Sequence, residues 1–169
     1  MIMDNRALNK LLLKIADGDD SALSKLYEET KKGVFAFVLY YLSKEDAEDV
    51  MQDVYLAIRA NANKYTADTN AKAWILQIAK NHALNKIKKN KRNVPLDLVI
   101  DKGQTSEYNG ITDVMRKVLS DEEFEIVTLH VVWGYKHKEI GEMYSAPTGT
   151  ITSKYKRAVE KVKAALKEV

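Results

Sequence analysis

Apolar residues return every three or four positions along almost the whole chain, and that period admits one kind of regular structure. Leu8, Leu11, Leu12 and Ile15 form a first stripe that stops at Gly18. Leu23, Leu26, Tyr27, Thr30, Val34, Val38 and Tyr41 form the second, with Asp20 or Ser21 placed to cap it. Ser43, with Asp46 three residues on, resembles a capping box ahead of Ala47, Val50, Met51, Val54 and Ile58. After a polar stretch, 61–70, the period resumes with Trp74, Ile75, Ile78, Ala79, Ala83 and Ile87, a phase that puts Trp74 in the core. Each stripe is the apolar side of a helix that needs a partner to cover it, so the expected fold is all-α.

The period fails again, over a longer stretch, in NVPLDLVIDKGQTSEYNG, which follows Arg92 and holds Pro95, Gly103 and Gly110. It reads as a linker, 94–111, between two small helical domains, 1–93 and 112–169. In the second, Val114, Met115 and Val118 mark one helix. Ser120 with Glu123 caps another that buries Phe124, Val127 and Val131 before Gly134. HKEIGEMY is barely two turns, and a longer helix beginning near Gly149 carries Ile151, Tyr155, Ala158 and Val162 inward. A short helix, a tight turn and a longer basic helix make a helix-turn-helix, whose second helix enters the DNA major groove. Gly141 suits the close crossing of such a pair.

A net charge of +3 identifies no partner, but its distribution does more. Residues 71–93 contain Lys72, Lys80, Lys86, Lys88, Lys89, Lys91 and Arg92 and no acid. Residues 148–167 contain Lys154, Lys156, Arg157, Lys161, Lys163 and Lys167 against Glu160 alone. The linker is acidic, with Asp97, Asp101 and Glu107 against Lys102. Two basic helices separated by acid point to nucleic acid. The longest apolar run, Gly33 to Leu42, is about half the roughly 20 residues of a membrane span. With no cysteine and no signal-like start, a cytoplasmic protein without membrane insertion is expected. His82, His130 and His137 are scattered, and no glycine-rich phosphate loop or ordered nucleophile and base is present. No metal, cofactor or catalysis is therefore expected.

Three segments, DAEDVMQDVYLAI (46–58), AWILQIAKNHALNKIKK (73–89) and LSDEEFEIVTLHVVWGYKHKEIGEMYSAPTGTITSKYKRA (119–158), resemble region 2 and region 4 of the extracytoplasmic-function sigma factors of bacterial RNA polymerase. The resemblance covers nearly the whole chain in the right order. It implies a promoter-specificity subunit that binds core RNA polymerase, at the β′ clamp and β flap, and promoter DNA. Asp49, Gln52 and Asp53, on one helical face with position 56, are assigned by it to the β′ clamp. The unwound −10 strand falls to Asn63, Lys64 and Tyr65 in the polar loop and to Lys80, Asn81, Asn85 and Lys88 on the helix that follows. Stacking, backbone cations and amides are what single-stranded DNA requires. Thr150, Thr152, Ser153, Lys154, Lys156 and Arg157 fall to the −35 element. The resemblance further implies an anti-sigma factor and an acidic linker running through the polymerase's nucleic-acid channel.

The chain departs from the family pattern where Asn85 replaces an aspartate and Lys88 and Lys154 replace arginines. Its helix-helix turn reads Ser145, Ala146, Pro147 in place of a glycine, an aliphatic residue and a serine, leaving Thr148 or Ser145 to cap, and Lys136 stands where a capping serine is common. The alternative function is a helix-turn-helix regulator that acts without joining the polymerase. It leaves the acidic helix and the 71–93 block without a role.

Overall fold

The computed structural model describes residues 3–92 and 110–167, which fall into two compact helical units. Among the described residues there is no strand, and no helix is long and apolar enough to cross a membrane. Apart from Gly110 and Ile111, the expected linker lies outside the described residues, Asp97, Asp101 and Glu107 included.

The first unit is a four-helix bundle. Helix α1, Asn5–Ala16, starts at Asp4, whose carboxylate accepts from the Ala7 N–H at 2.8 Å, and ends where Gly18 adopts φ +89°. Helix α2, Asp20–Tyr41, is capped by Asp19, one residue ahead of the expected Asp20 or Ser21: its carboxylate accepts from the Ser21 and Ala22 N–H groups. Because α2 touches three other helices, its buried side is wide and takes in Ala22, Gly33 and Phe37. Tyr27, expected inside, is left 41% exposed at the margin, edge-on to Tyr55.

Helix α3, Lys44–Asn61, buries Ala47, Val50, Met51, Val54, Tyr55 and Ile58. Ser43 Oγ accepts from the Asp46 N–H at 3.3 Å, but the Asp46 carboxylate turns to Lys86 and Asn90 instead of closing a capping box. Helix α4, Ala71–Arg92, buries Ala71, Ile75, Leu76, Ala79 and Ala83. Its buried side is centred one step from the expected stripe, so Leu76 joins the core and Trp74 stays half-buried.

The polar stretch between α3 and α4 is held by side chains. A short 3₁₀ turn, Ala62–Lys64, leads to Tyr65, which is 6% exposed and donates its hydroxyl to Asn9 Oδ1. Asn9 also accepts from the Asp68 N–H and donates to the Thr69 carbonyl, each at 3.2 Å. Asn5 donates to that carbonyl at 3.0 Å and accepts from the Lys72 N–H. Two asparagines of α1 thus complete the hydrogen bonding of a loop whose own bonds, such as Thr69 Oγ1 to the Thr66 carbonyl, satisfy only part of its backbone.

The second unit contains α5, Ile111–Val118; α6, Asp121–Val131; α7, His137–Met143; and α8, Thr148–Lys167. Ser120 and Glu123 form the expected capping box. Val131, expected inside, is 58% exposed, because the chain reverses directly after it through Gly134 at φ +70°. The Trp133 N–H bonds the Thr128 carbonyl and the Tyr135 N–H that of Leu129. This return carries Trp133 and Tyr135 into the core beside Phe124, Ile126 and Leu129.

Candidate nucleic-acid interface

The turn between α7 and α8 sets the helix-turn-helix. The Ala146 N–H bonds the Gly141 carbonyl at 2.8 Å and the Ser145 N–H that of Glu142 at 3.3 Å, the Schellman pattern, with Ser145 at φ +50° in the position glycine usually fills. A Cβ on Gly141 would lie 2.7 Å from the Ala146 carbonyl oxygen, so the glycine admits the turn itself. Pro147 precedes the first helical residue, and its carbonyl accepts from Ile151. Thr148 is therefore helical, where capping was expected of it or of Ser145. At α7, Glu139 supplies half of a capping box by accepting from the Lys136 N–H at 2.7 Å.

On α8 the buried residues Ile151, Ala158 and Val162 define the inward direction, and Ser153, Lys156 and Arg157 lie opposite. All three are exposed, as is Thr150 at the flank. Lys156 and Arg157 have no ion-pair partner among the described residues. Lys154 does not belong with them: it is turned back onto Glu122 of α6 and half-buried. Lys161 likewise binds Glu123 at 2.8 Å, holding that carboxyl below its usual range. Two cations of the block therefore fasten α8 to α6. Thr152 faces α7, where its hydroxyl meets His137 Nδ1 at 3.0 Å.

In the first unit, Trp74, Gln77, Asn81, Asn85 and Lys88 follow one another at three- and four-residue steps along the side of α4 away from Ile75 and Ala79, with Ile78 beside them. Trp74, Gln77, Ile78, Asn81 and His82 line an open groove of about 360 Å³ whose other wall is Ala57, Asn61 and Lys64. The groove brings together Lys64 and Asn81. Asn63 is exposed beyond its rim, and Asn85 and Lys88 continue the same helical line. Lys80 is half-buried about a third of a turn away. Tyr65 is a correction, since its buried ring and engaged hydroxyl make it a pin for the loop, edge-on to Trp74 at 5.3 Å, with no free face for a base. Trp74 is the aromatic that reaches the groove.

Asp49, Gln52 and Asp53 are all exposed on α3. Asp49 is held by Lys86 at 3.2 Å; the same ammonium binds Asp46 at 3.1 Å, and the two carboxylates, Asp46 foremost, raise its pKa. Leu56 completes the face at 64% exposure. Helical spacing places position 56 there, and the residue it puts on this otherwise polar face is apolar.

The family models for sigma-70 region 2 and sigma-70 region 4 match residues 26–93 and 117–164, together more than half of the chain. The chain belongs to the sigma-70 family of RNA polymerase sigma factors. Within it, the chain is an extracytoplasmic-function sigma factor. It is 25% identical to the ECF RNA polymerase sigma factor SigK of Mycobacterium tuberculosis, covering 94% of this chain and 93% of that one. It is 23% identical to SigC of the same organism, over 92% and 89%. Its fold is similar to that of CnrH, solved with the cytosolic domain of CnrY (TM-score 0.66, 18% identity, 96% of this chain and 98% of that one). It is also similar to that of RpoE from Bartonella quintana, solved with the anti-sigma factor NepR (TM-score 0.59, 22% identity, 85% and 97%).

Proposed function

We propose that this sigma factor joins core RNA polymerase through the exposed face of α3, reads the opened −10 strand with α4 and the groove beside it, and reads the −35 duplex with α8. The observation that carries the reading is that each cationic helix turns its polar line directly away from its own unit's core. In the first unit that line is Asn81, Asn85 and Lys88 beside Trp74; in the second it is Ser153, Lys156 and Arg157. Trp74 and the groove suit an unstacked base, with Lys64 and Lys88 toward phosphates and amides toward base edges. A hydroxyl and two cations suit a duplex groove and its backbone.

On α3, Gln52 and Asp53 with Leu56 offer polar and apolar contacts to the β′ clamp, and Asp49 joins them when Lys86 releases it. In this reading the functional domains are 1–93 and 112–169, and the acidic segment 94–111 enters the polymerase's nucleic-acid channel. The second unit meets the β flap. An anti-sigma factor covers the polymerase- and DNA-binding faces in the cytoplasm; RpoE, whose fold is similar, was solved in complex with one.

The test is promoter-selective transcription by core polymerase with and without the chain. The reading requires co-purification with core and initiation at a defined promoter set. Sequence-specific duplex binding by the chain alone, with no gain in initiation, would overturn it.

A further inference from the structure

Three rings meet beneath the start of α8. His130 of α6 and His137 of α7 have centroids 4.4 Å apart, and Tyr155 of α8 lies 4.7 Å from the first and 5.0 Å from the second. The protons in this cluster are fixed by their neighbours. His130 Nδ1 lies 2.7 Å from the Tyr135 carbonyl, which only accepts, so that nitrogen carries a hydrogen. Thr152 donates its single hydroxyl proton to the Thr148 carbonyl at 3.0 Å. His137 Nδ1, 3.0 Å from the Thr152 hydroxyl oxygen, must then donate to it. His137 is left with Nε2 buried and unpartnered, which suits a bare lone pair and not a charged ring.

The Thr152 oxygen is thus drawn toward its own preceding turn and toward α7, with its proton and one lone pair engaged. What the half-buried side chain has left is one lone pair, which can only accept, and its γ-methyl. In the major groove a thymine offers an O4 acceptor, which an engaged hydroxyl cannot satisfy, and a C5-methyl, which a threonine methyl packs against.

We propose that Thr152 reads a thymine of the −35 element through its methyl group, and that His137 is the positioning residue that holds it in that orientation. The inference rests on the reading of α8 as the helix that meets the −35 duplex. It replaces the expectation that the hydroxyl of Thr152 hydrogen-bonds a base.

The experiment uses holoenzyme on a promoter it selects, with each −35 thymine replaced singly by uracil, which deletes only the 5-methyl. Wild type should lose about three- to fivefold in affinity at one position, the worth of one buried methyl. Thr152→Ser keeps both hydrogen bonds and lacks the methyl, so it should bind thymine and uracil promoters equally. His137→Asn retains an N–H donor and should keep the discrimination, whereas His137→Leu should lose it while keeping the salt dependence of binding.

Arg157→Ala serves as the reference for groove contact. If it is −35-specific while wild type ignores uracil or Thr152→Ser still senses it, the methyl reading is overturned and the groove reading stands. If His137→Leu discriminates as wild type does, the positioning role is overturned. If neither Arg157→Ala nor Thr152→Ser depends on the −35 sequence, the groove reading and this inference fall together.

Discussion

Ser145 occupies a backbone conformation that costs an L-residue roughly 1–2 kcal/mol and glycine almost nothing. Glycine also loses more entropy on folding, so Ser145→Gly should stabilise the second unit by a net of about 0.5–1 kcal/mol, read by urea denaturation. Gly141→Ala should do the reverse, by about 1–3 kcal/mol, since the new Cβ meets backbone that cannot move aside. His137 sets a pH dependence. Burial first, then His130 and Lys156, lower its pKa below the ordinary value of 6.5. Above pH 6.5 folded and unfolded chains both hold it neutral and nothing changes. Below that, the unfolded chain takes a proton that the folded one resists, so stability falls with pH. Glu123, held down by Lys161, adds its own loss only below its ordinary value of 4.5. With Trp74 replaced by phenylalanine, buried Trp133 is the sole tryptophan and reports this unit. Its thermal midpoint should drop between pH 7.5 and 5.5 in that chain and drop less once His137→Asn is added; equal drops would remove His137 as the cause.

Helix existence was legible because an apolar stripe records which side is covered. What covers that side is not recorded. Trp74 lies in phase with Ile75 and Ile78, yet α4 is covered from the side of Ile75, Leu76 and Ala79, so the tryptophan is pushed to the groove. Lys154 and Lys161 look like the rest of the α8 cations until their acids on α6 are known, because each partner lies more than thirty residues away. Asn9 carries no periodic signal at all, although it supplies three of the loop's hydrogen bonds. The structure sharpens the α3 prediction in the same way. Asp49 belongs partly to Lys86, so reversing its charge disturbs the α3–α4 pairing as well as any partner, whereas the Asp53 side chain has no hydrogen bond or ion pair among the described residues. Asp53→Lys should therefore abolish assembly with core polymerase while changing stability by less than about 0.5 kcal/mol. Gel filtration with core reads the first quantity and thermal denaturation the second; full assembly of the variant would shift the clamp contact to another face.

The two units carry different chemistry, and that difference separates their tasks in the whole molecule. Groove, tryptophan and amides in the first suit bases that have left the stack, whereas a helix presenting Ser153, Lys156 and Arg157 needs a duplex with an open major groove. Holoenzyme binding to a single-stranded −10 oligonucleotide should thus fall by an order of magnitude in Trp74→Ala, since stacking is worth about 1–3 kcal/mol per base, and should be untouched by Arg157→Ala. On duplex promoters the pattern should invert at the binding step. Arg157→Ala should cost about 1–3 kcal/mol at one −35 position if it meets a base, or reduce the salt slope by about one unit if it meets a phosphate. Lys154→Met is the internal control, because that cation already binds Glu122: its loss should cost up to about 1 kcal/mol of stability and leave −35 preference unchanged. A promoter opened beforehand across −10 should relieve none of the Arg157→Ala defect, because the −35 duplex it touches is the same in both templates. Relief would mean that α8 acts on strand opening, and the division of labour between the units would have to be redrawn.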